Sequence, residues 1–263
     1  VYALAMALGF GIGPIIGAYV FVNISPELAF ISGSLVTLCG LCFVVTKVPI
    51  SVDEHEPGAD VMGKVPKKLI GIATKTRFPL HTIFCYGFLE ASLFTILPIF
   101  IIRKGFSVEQ MGYAFSILMA GTLLSIVPIT LLADRYGSQR LIVVCVSIGI
   151  LAGVGLPLSD DYSVFSIFCF IGGVGFGAIF PLSLSIIGSQ LPSSELAMGS
   201  GLFNAFFSMG CAVGPLLTAF VSDFLGDNYV FMLFVILFVS VLIHSQWNTR
   251  GDRNNANIPS SIL

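Results

Sequence analysis

The feature that most constrains this chain is the recurrence of long apolar runs, each nearly free of charge. They fall at residues 1–22, 28–48, 80–102, 109–132, 140–158, 162–187, 197–222 and 229–246. A helix needs about 20 largely apolar residues to cross the hydrocarbon core of a bilayer, and these runs are long enough. They show no period-two alternation, and many exceed the length of a barrel strand. Short breaks separate most of them and carry turn and cap residues: Ser25-Pro26-Glu27, Arg103-Lys104-Gly105, Ser159-Asp160-Asp161, Leu191-Pro192-Ser193-Ser194-Glu195 and Gly226-Asp227-Asn228. The expected fold is therefore an all-α polytopic membrane protein with about eight transmembrane helices.

Composition closes off the soluble alternatives. Charged residues make up 10 % of the chain and hydrophobic ones 56 %, with a mean hydropathy of +0.99. Soluble domains carry about a quarter charged residues. The net charge of −2 gives no basic balance for nucleic acid. All six cysteines (Cys39, Cys42, Cys85, Cys145, Cys169 and Cys211) sit inside apolar runs. Cys39 and Cys42 form a C-x-x-C without a second pair, so they read as packing residues; neither disulfide, metal nor cofactor is expected.

One connection differs from the rest. Residues 49–77 are polar, first acidic (Asp53, Glu54, Glu56, Asp60) and then basic (Lys64, Lys67, Lys68, Lys75, Arg77). This stretch is expected to link two helical bundles. Residues 1–48 supply the last two helices of the first bundle, 78–248 form a complete six-helix bundle, and 249–263 are a tail. The run that starts at Val1 has no basic flank and is too long for a secretory signal; the preceding helices of the first bundle are expected to be missing. Lysine and arginine favour the cytoplasmic side of membrane proteins. Lys47, the linker cations, Arg135, Arg140, Arg250 and Arg253 all fall on the linker side, against Arg103 and Lys104 opposite. Linker and tail are expected in the cytoplasm, in a plasma or bacterial inner membrane.

Two runs carry the same backbone pattern. Gly9, Gly13, Pro14 and Gly17 occur in the first; Gly201, Gly210, Gly214 and Pro215 occur in the seventh. Glycines four apart share a helix face and let a neighbouring backbone approach, and the proline bends the helix. Copies six helices apart suit an internal repeat of six-helix halves. The segment from Leu132 to Arg140 (Leu-Ala-Asp-Arg-Tyr-Gly-Ser-Gln-Arg) forms a charged turn between two runs.

These motifs together resemble the major facilitator superfamily. The Gly-Pro pattern is similar to its fifth-helix motif, common in proton-driven antiporters, with the second copy on helix eleven. The 132–140 segment is similar to its signature loop, here between helices eight and nine. Thr130 stands where that motif has its first glycine, and Ser138-Gln139 replace its first basic positions. The resemblance covers helices five to twelve and implies a secondary active transporter working by alternating access. It assigns a gating role to Asp134, Arg135, Gly137 and Arg140, with Asp134 near the start of helix five; plain topology signals are the other reading of these charges.

Glu90 is the most informative single residue, lying about ten residues into its run. A charge at that depth costs at least about 2.5–3.5 kcal/mol, so it must face the bundle interior or water. Tyr86 lies one turn earlier on the same stripe, with Phe94 and Leu97 one and two turns later. Glu90 is expected to couple protons or to pair with a cationic substrate, or else to bond a neighbouring helix. Asn204, flanked by Ser200 and Ser208, serves either the site or helix association. The run Gly172-Gly173-Val174-Gly175-Phe176-Gly177 and then Pro181 suggests a hinge or close packing at the cavity, and Ser183 and Ser185 are candidate substrate contacts. His55, His81 and His244 are explained by positions near the membrane surface. The expected partners are a small-molecule substrate, protons, the bilayer and the missing N-terminal helices. Proton-coupled export is the first reading of function; uptake by symport or facilitated diffusion is the second, and a receptor without flux the third. No cluster suited to an enzyme's metal or nucleophile appears at one depth.

Overall fold

The computed structural model describes residues 13, 16, 17, 19–47 and 65–256, and all regular structure among them is helical. Helix α1 spans Pro26–Lys47, α2 Val65–Lys75, α3 Arg77–Arg103 and α4 Val108–Tyr136. Then follow α5 Ser138–Leu158, α6 Tyr162–Phe176, α7 Ile179–Gln190, α8 Ser193–Leu225 and α9 Asp227–Ala256. Among the described residues seven spans are long and apolar enough to cross a membrane, with α6 and α7 together making one of them. In lipid the backbone must satisfy its own hydrogen bonds, and a helix does so within each span. The first expected span, 1–22, lies largely outside the described residues.

Several boundaries differ from the sequence expectation. The 132–140 turn shrinks to Gly137, because α4 runs on to Tyr136 and α5 starts at Ser138. Gly137 reverses the chain at φ +88, a conformation that suits glycine. Ser193, Ser194 and Glu195 belong to the first turn of α8, and Asp227 opens α9; acidic residues favour a helix N-terminus. The final third of the expected linker is helical, as α2. The expected span 162–187 is broken at Gly177 and Ala178.

Helices α3 to α9 form one bundle in which α3 is the most enclosed, and α3 with α8 is its most extensive helix pair. Phenylalanines fill the interior: Phe100 meets Phe231 at 4.7 Å between centroids, and Phe88 meets Phe234 at 6.5 Å. Between helices in lipid, association rests on close packing more than on the hydrophobic effect. Glycines make that possible here. A side chain on Gly210 or Gly214 would run into the α3 backbone at Phe84 or Phe88, and one on Gly173 into the α4 carbonyl of Leu118. A smaller core (Ile72, Leu80, Ile83, Ile187, Leu191 and Phe203) joins α2 to the bundle. None of the described side chains of α1 is buried.

The bundle has two ends. The turns after α3, α5 and α8 meet at the end far from the linker. There Arg103 reaches Asp227 (2.7 Å) and Ser222, and Lys104 Nζ donates to the carbonyls of Pro157 (2.9 Å) and Ser159 (2.5 Å). Tyr162 Oη donates to the Gln110 carbonyl at 2.8 Å. At the linker end, Lys75 pairs with Glu195 (3.6 Å), and the Gln139 amide donates to Ser245.

Candidate functional site

A cavity of about 570 Å³ opens into the middle of the bundle between α3, α4, the α6–α7 break and α8. Its size suits a small organic ligand. From α3 it receives Tyr86, Glu90 and Phe94, which the 3.6-residue period stacks on one face. Helix α8 adds Asn204, Phe207 and Cys211, and α4 adds Phe115 and Thr122. Glu90 is the only carboxylate among the described lining residues. Tyr86 Oη donates to Glu90 Oε1 across one turn at 3.4 Å.

Aromatic rings hold this carboxylate between two groups. On one side Tyr86 stacks with Phe207 (6.2 Å) and meets the edge of Phe180 (6.3 Å). On the other, Phe94 stacks with Phe115 at 5.7 Å. A carboxylate in a cavity lined by aromatic rings suits a ligand with both an apolar body and a positive charge. Asn204 is exposed to the cavity and bonds no other described residue, so its amide is available to a ligand.

The broken helix completes the wall. Gly177 and Pro181 both line the cavity, and Pro181 has no N–H to offer the carbonyl one turn back. Gly177 also presses on α4, where a side chain would meet Ser125 and Thr122. Thr122 Oγ1 donates across to the Gly173 carbonyl at 3.2 Å. Close packing and a break thus coexist in one glycine-rich segment.

Other expected residues lie elsewhere. Leu97 is fully buried in the core rather than in the cavity wall. Ser183 is also buried, without a hydrogen-bond partner among the described residues. Ser185 is exposed and meets Ser138 at 3.4 Å. Residues two apart on a helix point about 200° apart, so the two serines never shared a face. Gly210 and Gly214 pack on α3, whereas Gly13, Gly17 and Gly201 have open space beside them. Pro215 sits within α8. Gly9 and Pro14 lie outside the described residues, as does the start of the first run, to which the resemblance brings Asp134. Asp134, Arg135 and Arg140 are exposed, and the Arg135 guanidinium rests 5.6 Å from the centre of the Tyr136 ring. Two of the histidines make a contact that their positions in the sequence did not suggest. His55 lies outside the described residues, but His81 and His244 face each other with Nδ1 atoms 3.2 Å apart.

The wall residues that sequence reasoning missed include Phe115, Thr122, Phe180, Phe207 and Cys211. Phe207 offered a signal, since it lies three residues from Asn204 on the same helix. The others depend on which helix neighbours which.

Comparison with known proteins follows the same line. The Major Facilitator Superfamily profile matches residues 1–168 and, overlapping, 82–257, as related six-helix halves would produce. The chain is 28 % identical over 221 residues to the uncharacterized MFS-type transporter YfkF of Bacillus subtilis strain 168, covering 82 % of this chain and 54 % of that protein. It is 22 % identical over 233 residues to the uncharacterized MFS-type transporter YcaD of Escherichia coli O17:K52:H18, covering 88 % and 58 % respectively. The chain spans about half the length of these relatives. With the profile covering nearly all of it, on lipid-length helices around a central cavity, this chain is an integral membrane protein and belongs to the major facilitator superfamily of membrane transporters.

Proposed function

We propose that this chain is the larger part of a proton-coupled secondary transporter that exports small amphipathic, positively charged compounds by alternating access. The single observation that carries the reading is Glu90: a carboxylate in the middle of a span, in a cavity otherwise lined by aromatic, aliphatic and uncharged polar residues. Such a group inside a membrane is costly and marks a pathway or a coupling site. It either holds a proton or pairs with a cation, and a group that does one at a time exchanges the first for the second. Tyr86 positions the carboxylate and Asn204 supplies a neutral hydrogen-bonding contact.

In this reading residues 1–48 complete the first bundle together with four helices that precede this chain, and 49–77 tether the bundles on the cytoplasmic side. The described cavity is then half of the transport site. Asp134, Arg135, Gly137 and Arg140 meet the first bundle at its cytoplasmic end and part from it when that side opens. The antiporter-like Gly-Pro pattern supports export over uptake.

The test uses the full-length protein in proteoliposomes with an imposed pH gradient and a lipophilic cation such as tetraphenylphosphonium. Uphill, gradient-dependent movement of the cation is expected. Glu90→Gln should abolish it while leaving the folded protein's melting temperature unchanged. Uphill movement that survives in Glu90→Gln removes Glu90 from coupling, and movement only down the cation's own gradient in the wild type removes proton coupling altogether.

A further inference from the structure

At the linker end of the bundle, on the side of α3 away from the cavity, two titratable side chains meet that the transport site does not use. His81 lies in the second turn of α3 and His244 near the end of the apolar part of α9, 163 positions later. Their Nδ1 atoms are 3.2 Å apart and their ring centroids 5.1 Å. The other ring nitrogen of His81, Nε2, lies 3.2 Å from Ser240 Oγ and 3.6 Å from Cys85 Sγ.

The hydrogens in this contact can be assigned by following the chain of donors. Ser240 Oγ donates its hydrogen to the Leu237 carbonyl at 2.6 Å, so toward His81 it can only accept. His81 Nε2 therefore carries a hydrogen and donates to Ser240. In the neutral ring Nδ1 is then bare and accepts from His244 Nδ1–H. One unbroken chain runs from His244 through His81 and Ser240 to Leu237. A first added proton fits without disturbing it, because it goes to Nε2 of His244, which bonds no other described residue. A second has only His81 Nδ1 to occupy. That would set N–H against N–H and two positive rings against each other at hydrogen-bond distance.

The described surroundings offer no relief. Among the described residues, neither imidazole has a carboxylate within 4.0 Å. Arg77, one turn earlier on α3, is the charge that faces His244, and it is a cation. Glu195 on α8 is turned to Lys75, Arg140 on α5 is exposed, and α7 contains no ionisable residue. The remaining neighbours are Cys85 on α3, the edge contact of Phe78 with His244 (5.7 Å), and the α5 amide of Gln139 bonded to the adjacent Ser245.

We propose that the His81–His244 pair is a second proton-binding site, which fastens α9 to α3 while it holds at most one proton and releases it when it holds two. It is separate from Glu90, which lies nine residues further along α3, about 13.5 Å away along the axis and half a turn round it. Acidification on the linker side would then loosen the end of α9 without touching the cavity carboxylate.

Hydrogen–deuterium exchange on the full-length protein in lipid nanodiscs tests this. Peptides covering 236–247 are followed at about pH 8 and about pH 5, either side of the ordinary imidazole pKa of about 6.5, with times corrected for intrinsic exchange. The wild type is expected to lose protection there by about tenfold or more at the lower pH. His244→Gln and, separately, His81→Gln should respond equally at both pH values. Glu90→Gln should keep the wild-type response, which separates this site from the transport reading. Equal protection of the wild type at both pH values would overturn the proposal. So would an undiminished acid response in His244→Gln and His81→Gln, or its loss in Glu90→Gln.

Discussion

The two ends of the α3–α9 bundle hold themselves together differently. At the far end the cations are satisfied inside the bundle: Arg103 binds Asp227 and Ser222, while Lys104 reaches two carbonyls and Asp160. These contacts tie the turn after α3 to the turns after α5 and α8. At the linker end, Asp134, Arg135 and Arg140 are exposed and make no ion pair among the described residues. Apart from the Lys75–Glu195 pair, which ties α2 to α8, neutral contacts do the joining there, through Gln139 with Ser245 and His81 with His244. An end whose cations are bound within the bundle moves as one body. An end with unmatched charges has a surface suited to a partner, as the proposed alternating access would require.

The largest effect on stability should come from Lys104. Its side chain is only 16 % exposed, and it also lies 5.5 Å from the centre of the Phe100 ring. Lys104→Met keeps the stem but leaves the Pro157 and Ser159 carbonyls without this donor, a loss of about 1–3 kcal/mol. Thermal and detergent-denaturation midpoints measure it. Asp160→Asn is the control: Asp160 is fully exposed at 3.4 Å from the same ammonium, and its replacement should change little. Equal losses in the two variants would mean that the ion pair, and not the carbonyl contacts, ties this end.

A smaller, pH-dependent effect is expected at Asp161, which caps α6 at the same end. It accepts from the backbone N–H groups of Ser163 (2.8 Å) and Val164 (3.3 Å). The hydrogen bonds from Val164 and then Ser163 hold its carboxyl below the usual carboxylate range. A carboxyl with a lowered folded-state pKa adds stability that is present above its unfolded pKa of about 3.9. That stability is lost as pH falls through the folded value. Asp161→Ala should therefore lower the melting point at neutral pH by less than Lys104→Met, with the difference from wild type shrinking below about pH 4. A difference that grows on acidification would contradict this role.

What the sequence disclosed follows from where its signals are local. Spans, turns and the Tyr86–Glu90–Phe94 stripe were legible because each depends on one helix and its period. Glu90 stood out because a charge at that depth needs a reason. The histidine pair was invisible: its partners are 163 positions apart, and helices apolar on every face do not announce which neighbour they meet. The same limit hid Phe115 and Phe180 and placed Leu97 on the wrong side of the cavity wall. The glycine-rich run was readable as a soft or tightly packed segment, but its break at residues 177–178 depends on the α4 surface against which it lies. The helical α2 was masked by the polar composition of the connection, although Ile72 anchors it in the smaller core.

The smallest effect on stability, and the sharpest test of the contrast, belongs to Asp134. It lies in the last turn of α4, where the helix carbonyls already present partial negative charge. A carboxylate there is unfavourable to its own helix, so Asp134→Asn should leave bundle stability unchanged or raise it by about 0.3–1 kcal/mol at most. The residue is exposed and its charge is unmatched among the described residues. If that charge serves the first bundle, the same variant lowers transport in proteoliposomes while melting as the wild type does. Loss of stability on the scale of Lys104→Met would show that this end, too, is held by charges within the bundle. Unchanged stability with unchanged transport would leave Asp134 as a topology signal alone.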